Sequence, residues 1–422
     1  MRIRWLLLLP SLVFASPPVH LTLQQAIETA LRQNPSVNEA RHTVEEADAR
    51  IRQARAGYYP QIGFNGIAKV GLSGATNALG LVGLPASPLF RNLADSVNVS
   101  QSVFDFGRTK HRVAYERKLR DAAEADVATV EAEVRLKVEQ AYYGLLRAQR
   151  LREVTGEIVR SREATVRQAQ ALYEGQIRSR VDLDLARVSL SRAQLQTSEA
   201  ENRAYIAVAT LGLGLGGAQD AEYVLESPDL SAPKLEPLDP LVEEAFRVRP
   251  EFQTLRFDRE AAAEQLELAR SQKKPLLNLA FSGGYARFTN VLARQLVAGG
   301  AGLVLPLFTG GRIEGQQEEA EAQLRVLDDR EESLKQQVVL EIRTSWFRLK
   351  NAIDSLPVLL LGTEYARSAA HLAEERYRER LGSFVELASA QASLAEASAS
   401  ESVALYDAKI ADAGLRRAAG RR

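Results

Sequence analysis

The sequence predicts a mixed fold in which long antiparallel helical hairpins are combined with membrane-spanning β-strands, in an internally duplicated chain. Three observations carry this. The segment Gly107 to Leu211 recurs without a gap as Gly311 to Leu415, an offset of 204 residues. Four short stretches alternate apolar and polar side chains in the two-residue period of a strand. Each second stretch of a pair is followed by a very long tract with helical spacing.

The offset of 204 pairs Arg108 with Arg312, Val134 with Val338, Leu145 with Leu349, Tyr173 with Tyr377, Leu190 with Leu394 and Ile206 with Ile410. Ahead of the tracts the halves also correspond, at an offset of 215: Ala30 with Ala245, Pro35 with Pro250, Pro60 with Pro275. The eleven-residue difference must lie in one enlarged loop between Pro60 and Phe104. A duplicated unit of this size is settled before anything else is read. It divides the chain into a signal peptide over 1–15, a first repeat over 16–226 and a second over 227–422.

The signal reading rests on Arg2 and Arg4, the apolar run Trp5 to Phe14, and small residues at Ala15 and Ser16. A buried first helix is the alternative, which Pro10 in mid-run disfavours. After it no apolar run approaches the ~20 residues of a spanning helix. Net charge is zero, with 54 basic and 54 acidic residues, so nothing global favours nucleic acid. Cysteine is absent, which excludes disulfides, thiolate metal sites and a lipid-bearing N-terminal cysteine.

Thr22 to Ala56 is helical in habit, with apolar residues at three- and four-residue steps and a break at Asn34 and Pro35. The period then changes. Over 61–70, Ile62, Phe64, Ala68 and Val70 share one face against Gln61, Gly63, Asn65 and Lys69; over 95–104, Val97, Val99 and Val103 oppose Ser96, Asn98, Ser100 and Ser102. The glycine-rich stretch Gly71 to Leu93 reads as a surface loop. The second repeat places strands near 276–288 and 299–308, the latter from Leu303, Leu305 and Leu307. Each strand taken alone fits a half-buried strand of a soluble sheet better than a membrane strand. Thin-striped helices that could not cover a sheet face, together with the export signal, turn the reading to a bilayer. Four strands leave two unpaired edges, which hydrocarbon does not tolerate, so a barrel closes only between chains.

The tracts Gly107 to Tyr173 and Gly311 to Tyr377 would each extend roughly 100 Å as helix. Pro357 is expected to bend or pause the second. Polar turns, Glu174 to Val181 and Arg378 to Val385, lead into returning helices, making hairpins over 107–211 and 311–415. Leu213 to Pro240, rich in glycine and proline, reads as a linker; its glycines lack the Lys and Ser or Thr of a phosphate loop.

No enzyme is indicated. His20, His42, His111 and His371 have no metal-ligand spacing and read as solvated, no hydrolase motif occurs, and no cofactor or metal is expected. What remains is the pair of turns. Tyr173, Arg178, Arg180, Asp182 and Asp184 in the first face the register of Tyr377, Arg378, Arg380 and Glu386 in the second, with Gly175 and Gly382 as the turn glycines. Charges and tyrosines at converging helix ends could close a pore, and a ring of carboxylates would favour cations. For Asp182 a plain helix-capping role stands beside that one.

The duplication, Gln101-Ser-Val-Phe-Asp-Phe-Gly-Arg108, Leu305-Pro-Leu-Phe-Thr-Gly-Gly-Arg312, and the spacing Leu183, Ala186, Leu190 with Leu387, Ala390, Leu394 resemble the TolC family of outer-membrane efflux proteins. The resemblance spans essentially all of the chain after the signal. It implies a homotrimer sharing a twelve-stranded β-barrel and a twelve-helix α-barrel tunnel across the periplasm, held in outer-membrane lipid. It further implies a passive channel of a tripartite efflux or type I secretion system, opened at its periplasmic tip by an adaptor (membrane fusion) protein and an inner-membrane transporter. By position Glu386 matches an acid that lines the family's entrance, and Asp182 with Tyr377 match its closing network. Ser389 stands where a second entrance acid can occur, and Arg380 where the turn usually has glycine. The reading of another class is a periplasmic helical adaptor or coiled-coil scaffold without a barrel.

Overall fold

A computed structural model describes residues 19–72, 89–217, 223–226, 231–288 and 291–421. The signal segment and most of the first interstrand loop lie outside these residues. In chain order the elements are β1 (Val19–Leu21), α1 (Leu23–Gln33), α2 (Pro35–Arg55), β2 (Gln61–Leu72), β3 (Leu89–Phe104), α3 (Arg108–Glu174) and α4 (Arg180–Leu215). They continue with β4 (Tyr223–Leu225), α5 (Leu238–Val248), α6 (Pro250–Ser271), β5 (Leu276–Phe288), β6 (Val291–Val304), α7 (Arg312–Arg378) and α8 (Phe384–Ala418). Both α3 and α7 have 67 residues and begin 204 positions apart, while α1 and α5 begin 215 apart.

The described residues form two compact units, each drawing on both halves of the chain. The first holds Arg41–Asp126 and Glu251–Leu334, including a four-stranded antiparallel sheet in the order β2-β3-β5-β6. Alternation sorts its side chains. Phe64, Val97, Gly283 and Val297 form one row across the sheet, while Gly63, Asn98, Ser282 and Ala298 form the neighbouring row on the other face. On the polar face Ser282 Oγ donates to Asn98 Oδ1 at 2.6 Å. On the apolar face Phe64 and Val297 are 70% and 72% exposed, so this face has no cover among the described residues.

Three sequence expectations need correction here. The loop expected from Gly71 is shorter, because Leu89 to Leu93 carry neither glycine nor proline and pair with Leu72 back to Ala68. The strand expected near 299–308 is β6, which starts at Val291 and stops at Val304. Its glycines do not break it, since Gly299 lies opposite Phe281 and a Cβ there would come within 3.1 Å of that ring. Beyond it Pro306 has no N–H for a ladder, leaving Leu305 and Leu307 outside the strand. His111, expected to be solvated, is partly buried and 2.7 Å from Glu264.

The second unit holds the described residues through Ala40, Val127–Pro250 and those from Lys335 onward. Thr22 starts α1 with a capping box: its hydroxyl accepts from the Gln25 N–H, and the Gln25 side chain accepts from the Thr22 N–H. Ala26, Ile27 and Ala30 then pack with Val134, Val138, Tyr142 and Leu145 of α3 and Leu211 of α4. Where α1 breaks before Pro35, Asn34 Nδ2 donates to the Gly214 carbonyl at 2.8 Å. The equivalent corner before Pro250 carries Arg249, whose Nη1 reaches the Ala418 carbonyl at 3.3 Å. Gly216 and Gly420, at φ 74° and 80°, lie against these corners, where a Cβ would fall 2.9 Å from Asn34 Cα and 3.0 Å from Arg249 Cγ.

The stretch expected as a linker is partly structured. β4 lies within it and forms a parallel ladder with β1, which the sequence reading did not place. The Tyr142 hydroxyl is shared between the carbonyls of Leu21 at 3.1 Å and Glu226 at 2.6 Å. Its counterpart Trp346 donates to the Glu236 carbonyl at 2.7 Å. Pro357 does not interrupt α7: the lost hydrogen bond and carbonyl clash, about 3 kcal/mol, are outweighed by the long flanks on either side. The C-terminal end is tied by arginines. Arg416 meets buried Glu139 at 2.6 Å, and Arg421 forks onto Glu236 and Glu244 at 2.6 and 2.7 Å.

Burial, reinforced by Glu226, pushes the Tyr142 phenol up to about 12, so the folded state holds this proton more tightly than the unfolded one. Its stabilising share is therefore whole below pH 10 and disappears as pH rises through about 12. Thermal melts should show this alkaline loss in the native chain and a smaller one in Tyr142→Phe. That variant should start lower by about 1–2 kcal/mol.

Candidate functional site at the hairpin turns

Both turns are built alike. After α3, the amides of Ile177 and Arg178 donate to the Leu172 carbonyl at 2.8 and 3.2 Å; after α7, those of Leu381 and Gly382 donate to the Arg376 carbonyl at 2.8 and 2.9 Å. Each wrap needs one left-handed residue. These are Gln176 (φ 57°) and Arg380 (φ 65°), which are equivalent positions in the repeats. The expected turn glycines do not take that conformation. Gly175 precedes the left-handed residue, and Gly382 makes room where Arg376 meets Glu386, since a Cβ there would come 3.2 Å from Arg376 Cβ and 3.3 Å from Glu386 Oε2. Holding non-glycine residues in this region costs about 1 kcal/mol or more at each turn. The returning helices start on matched serine caps, with Ser179 accepting from the Asp182 N–H and Ser383 from the Glu386 N–H.

One side chain joins the turns. Arg178 Nη2 donates to the carbonyls of Tyr377 at 3.1 Å and Gly382 at 3.0 Å, and the guanidinium lies 4.6 Å from the centre of the Tyr377 ring. A cation at the C-terminal end of α7 satisfies orphan carbonyls and opposes the helix dipole, while the stack adds a cation–π contribution. Tyr377, 1% exposed, packs with Ala169 of α3, Leu183 and Ala186 of α4, and Phe384 and Leu387 of α8. All four long helices thus end on one ring.

The polar part of this core is under-satisfied. The Tyr377 hydroxyl and Arg178 Nε are buried without a hydrogen bond of good geometry. Burial raises the pKa of Tyr377; nearby Asp182 raises it further and Arg178 opposes this. Asp182 therefore acts on the phenol by charge, although the two lack the alignment of a formed bond.

Of the residues expected at the site, the structure brings together Arg178, Asp182, Tyr377 and Gly382. Tyr173 is 41% exposed and outside that cluster. Arg180 and Arg187 flank Asp184 at 3.5 and 3.7 Å, and Arg378 meets Glu374 and Glu375 at 3.4 and 2.8 Å; these exposed pairs along single helices contribute little. Arg380 makes no ion pair among the described residues. Glu386 lies 3.0 Å from Arg376 Nε, which offsets its charge locally. Sequence reasoning missed Arg376, Gln176, Phe384 and the paired serines, although Ser179 and Ser383 stand at the repeat offset of 204.

A sheet with an uncovered apolar face and helices of 67 residues that return through tight turns are the parts of an outer-membrane channel subunit. Residues 26–217 and 241–421 both match the family described as Outer membrane efflux protein, and the chain belongs to that family, whose place is the outer membrane. The two matches begin 215 residues apart and end 204 apart, the same offsets as in the sequence. Outer membrane protein TolC of Escherichia coli (strain K12) is 22% identical over 416 residues, covering 94% of this chain and 82% of TolC. Among solved structures, VceC of Vibrio cholerae has a TM-score of 0.75 at 22% identity, covering 94% of this chain and 96% of VceC. The open state of the Neisseria gonorrhoeae MtrE channel has a TM-score of 0.75 at 17% identity, covering 94% of this chain and 89% of MtrE. At these identities the likeness shows the fold; TolC and VceC are outer membrane proteins and MtrE is an outer membrane channel.

Arg178→Ala should loosen the second turn. Two charge-assisted bonds are lost, at about 1.5–3 kcal/mol each before relaxation, so hydrogen exchange at residues 380–387 should quicken at least about tenfold. Exchange unchanged there would show that the turns are not coupled through this side chain.

Proposed function

We propose that the chain is one third of a passive conduit that crosses the outer membrane and continues through the periplasm, closed at the hairpin turns and opened there by partner proteins. The observation that carries the reading is the sheet. Its apolar face is uncovered, and β2 and β6 are edges with no partner among the described residues. In hydrocarbon every backbone polar group needs a partner, so four strands reach a sealed wall only by joining other copies. Three copies make twelve strands, within the range of outer-membrane barrels.

The helices support the same assembly. On α7 Leu340 and Phe347, and then Val358, Tyr365 and Leu372, recur at seven-residue steps and are all more than half exposed. On α4 Leu195, Tyr205 and Leu213 are likewise more than 60% exposed. Seven-residue apolar repeats are seams for another helix. A scaffold without a barrel would explain the seams but not the apolar sheet face. Each repeat would then supply two strands and one hairpin, after the segment 1–15 had directed export.

In the closed conduit Arg178, Asp182 and Tyr377 tie the first turn to the second. The unsatisfied phenol and guanidinium nitrogen and the two left-handed residues leave this closure short of an energetic optimum, which suits a joint that a docking adaptor must release. The open state described for the MtrE channel supports a channel of this fold that opens. An inner-membrane transporter would supply energy and cargo choice.

Light scattering in mild detergent should give a trimer; a stable monomer would remove the shared wall. In planar bilayers Arg178→Ala should raise the single-channel conductance or the open fraction. A trimer whose conductance does not respond would leave the barrel standing and dismiss Arg178 as part of the closure.

A further inference from the structure

Three charged side chains are buried among the described residues, Glu139, Arg162 and Arg249. Two have a counter-ion at 2.6 Å: Glu139 has Arg416 and Arg249 has Glu341. Arg162 on α3 has none. It is 7% exposed, and its one side-chain partner is a neutral amide, the Gln391 oxygen on α8. Gln391 in turn donates to the Thr165 hydroxyl at 3.2 Å, and that hydroxyl donates to the Ser161 carbonyl at 3.1 Å. Burial alone acts on the guanidinium, lowering its pKa, and no carboxylate offsets that cost.

The fold does not require a cation here. At the repeat offset, Arg162, Thr165 and Gln391 correspond to Ala366, Ala369 and Arg187, so the polar trio belongs to one repeat only. Leaving a buried charge uncompensated costs several kcal/mol, while a guanidinium has five donors and Gln391 takes one. Arg162 borders a groove of about 830 Å³ walled by α3, α4 and α8, where Arg192, Gln196 and Ser389 supply further donors. Arg192 also lacks an ion pair among the described residues. Arg203 in the same wall is spoken for by Glu199 at 3.7 Å. The one other carboxylate of the groove is Glu396, five residues beyond Gln391 and thus about 7.5 Å further along α8.

We infer that this groove is a binding site for a small carboxylate or oxyanion solute, with Arg162 as its buried anchor and Arg192 as a second cation on its wall. A planar guanidinium matches two oxygens of such a group. The bound anion supplies the charge that the protein withholds at this one buried site. The inference does not depend on the turns acting as a gate.

The test is calorimetric titration of the purified full-length protein in detergent with citrate. Binding weakened by added salt is expected, reduced at least about tenfold in Arg162→Met, since charge-assisted bonds of about 1.5–3 kcal/mol correspond to that factor or more. Glu396→Gln, which removes a competing carboxylate, should tighten it. Arg162→Met should melt no lower than the native chain without citrate, because an apolar side chain replaces an unpaired buried charge. No citrate uptake by the native protein would overturn the site, as would equal affinity in Arg162→Met. If Arg162→Met does not fold, unchanged affinity in both Arg192→Gln and Glu396→Gln would do the same. If a carboxylate of a neighbouring copy filled the groove, citrate would find no room, and that outcome also refutes a solute site.

Discussion

Each repeat depends on a clasp between a helix corner and the end of a returning helix. The residue before a proline cannot continue a helix comfortably, so the chain turns at Asn34 and again at Arg249. Each of these side chains reaches a carbonyl that its helix leaves orphaned, at Gly214 or Ala418. The geometry is the same, but the chemistry is not. A neutral amide serves the first repeat. In the second a buried guanidinium does so, and it then needs Glu341 at 2.6 Å as counter-ion. Gly216 and Gly420 follow from the close approach, since a side chain at either would collide with the corner. A duplicated backbone has thus kept its contacts while exchanging the atoms that make them.

The turns show the same division. Backbone wrapping, the left-handed position and the serine cap are common to both, whereas Arg178 has Gly382 as its equivalent. Only the first turn therefore carries a cation at this position, and it donates to the carbonyl of its own equivalent, Gly382. The contact between the turns is strong where Arg178 meets two carbonyls and weak where the Tyr377 hydroxyl is left unpaired. If the turns close a pore as proposed, such a balance would suit an arrangement that a partner could shift by binding an alternative better.

Much of this was legible in the sequence because periodicity and duplication are properties of spacing. The start of α7 at Arg312 follows from that of α3 at Arg108, and the polar turns are visible as breaks in helical spacing. The start of β6 was hidden because glycine reads as a breaker unless the residue across the ladder is known, and Phe281 is 18 positions away in sequence. β1 and β4 are too short to show a period at all. At the site, sequence could gather charged residues near the turns but could not rank them. That Arg178 crosses to the other hairpin while Arg180 pairs locally with Asp184 depends on where helix ends point. The left-handed residue of each turn is not glycine, because the hydrogen bonds that surround it can hold Gln176 or Arg380 there.

The two ends of the chain's chemistry pose one problem in different solvents. In the sheet, the outer edges of β2 and β6 leave N–H and C=O groups without a ladder partner among the described residues, a loss counted in backbone hydrogen bonds wherever hydrocarbon replaces water. In the helices the backbone groups between the end turns are paired within their own element, apart from the break at Pro357, so what lies open on α4 and α7 is apolar surface. Neither defect can be repaired by refolding one chain, because the strands are already in register with all their neighbours and the helices already pack inward on Tyr142 and Tyr377. In the proposed assembly both would be repaired by the addition of identical chains, which would supply a strand to each edge and a helix to each seam. For that proposal closed symmetry would be the economical solution, since a heterologous contact that does not close would leave one edge and one seam bare at each end of the assembly.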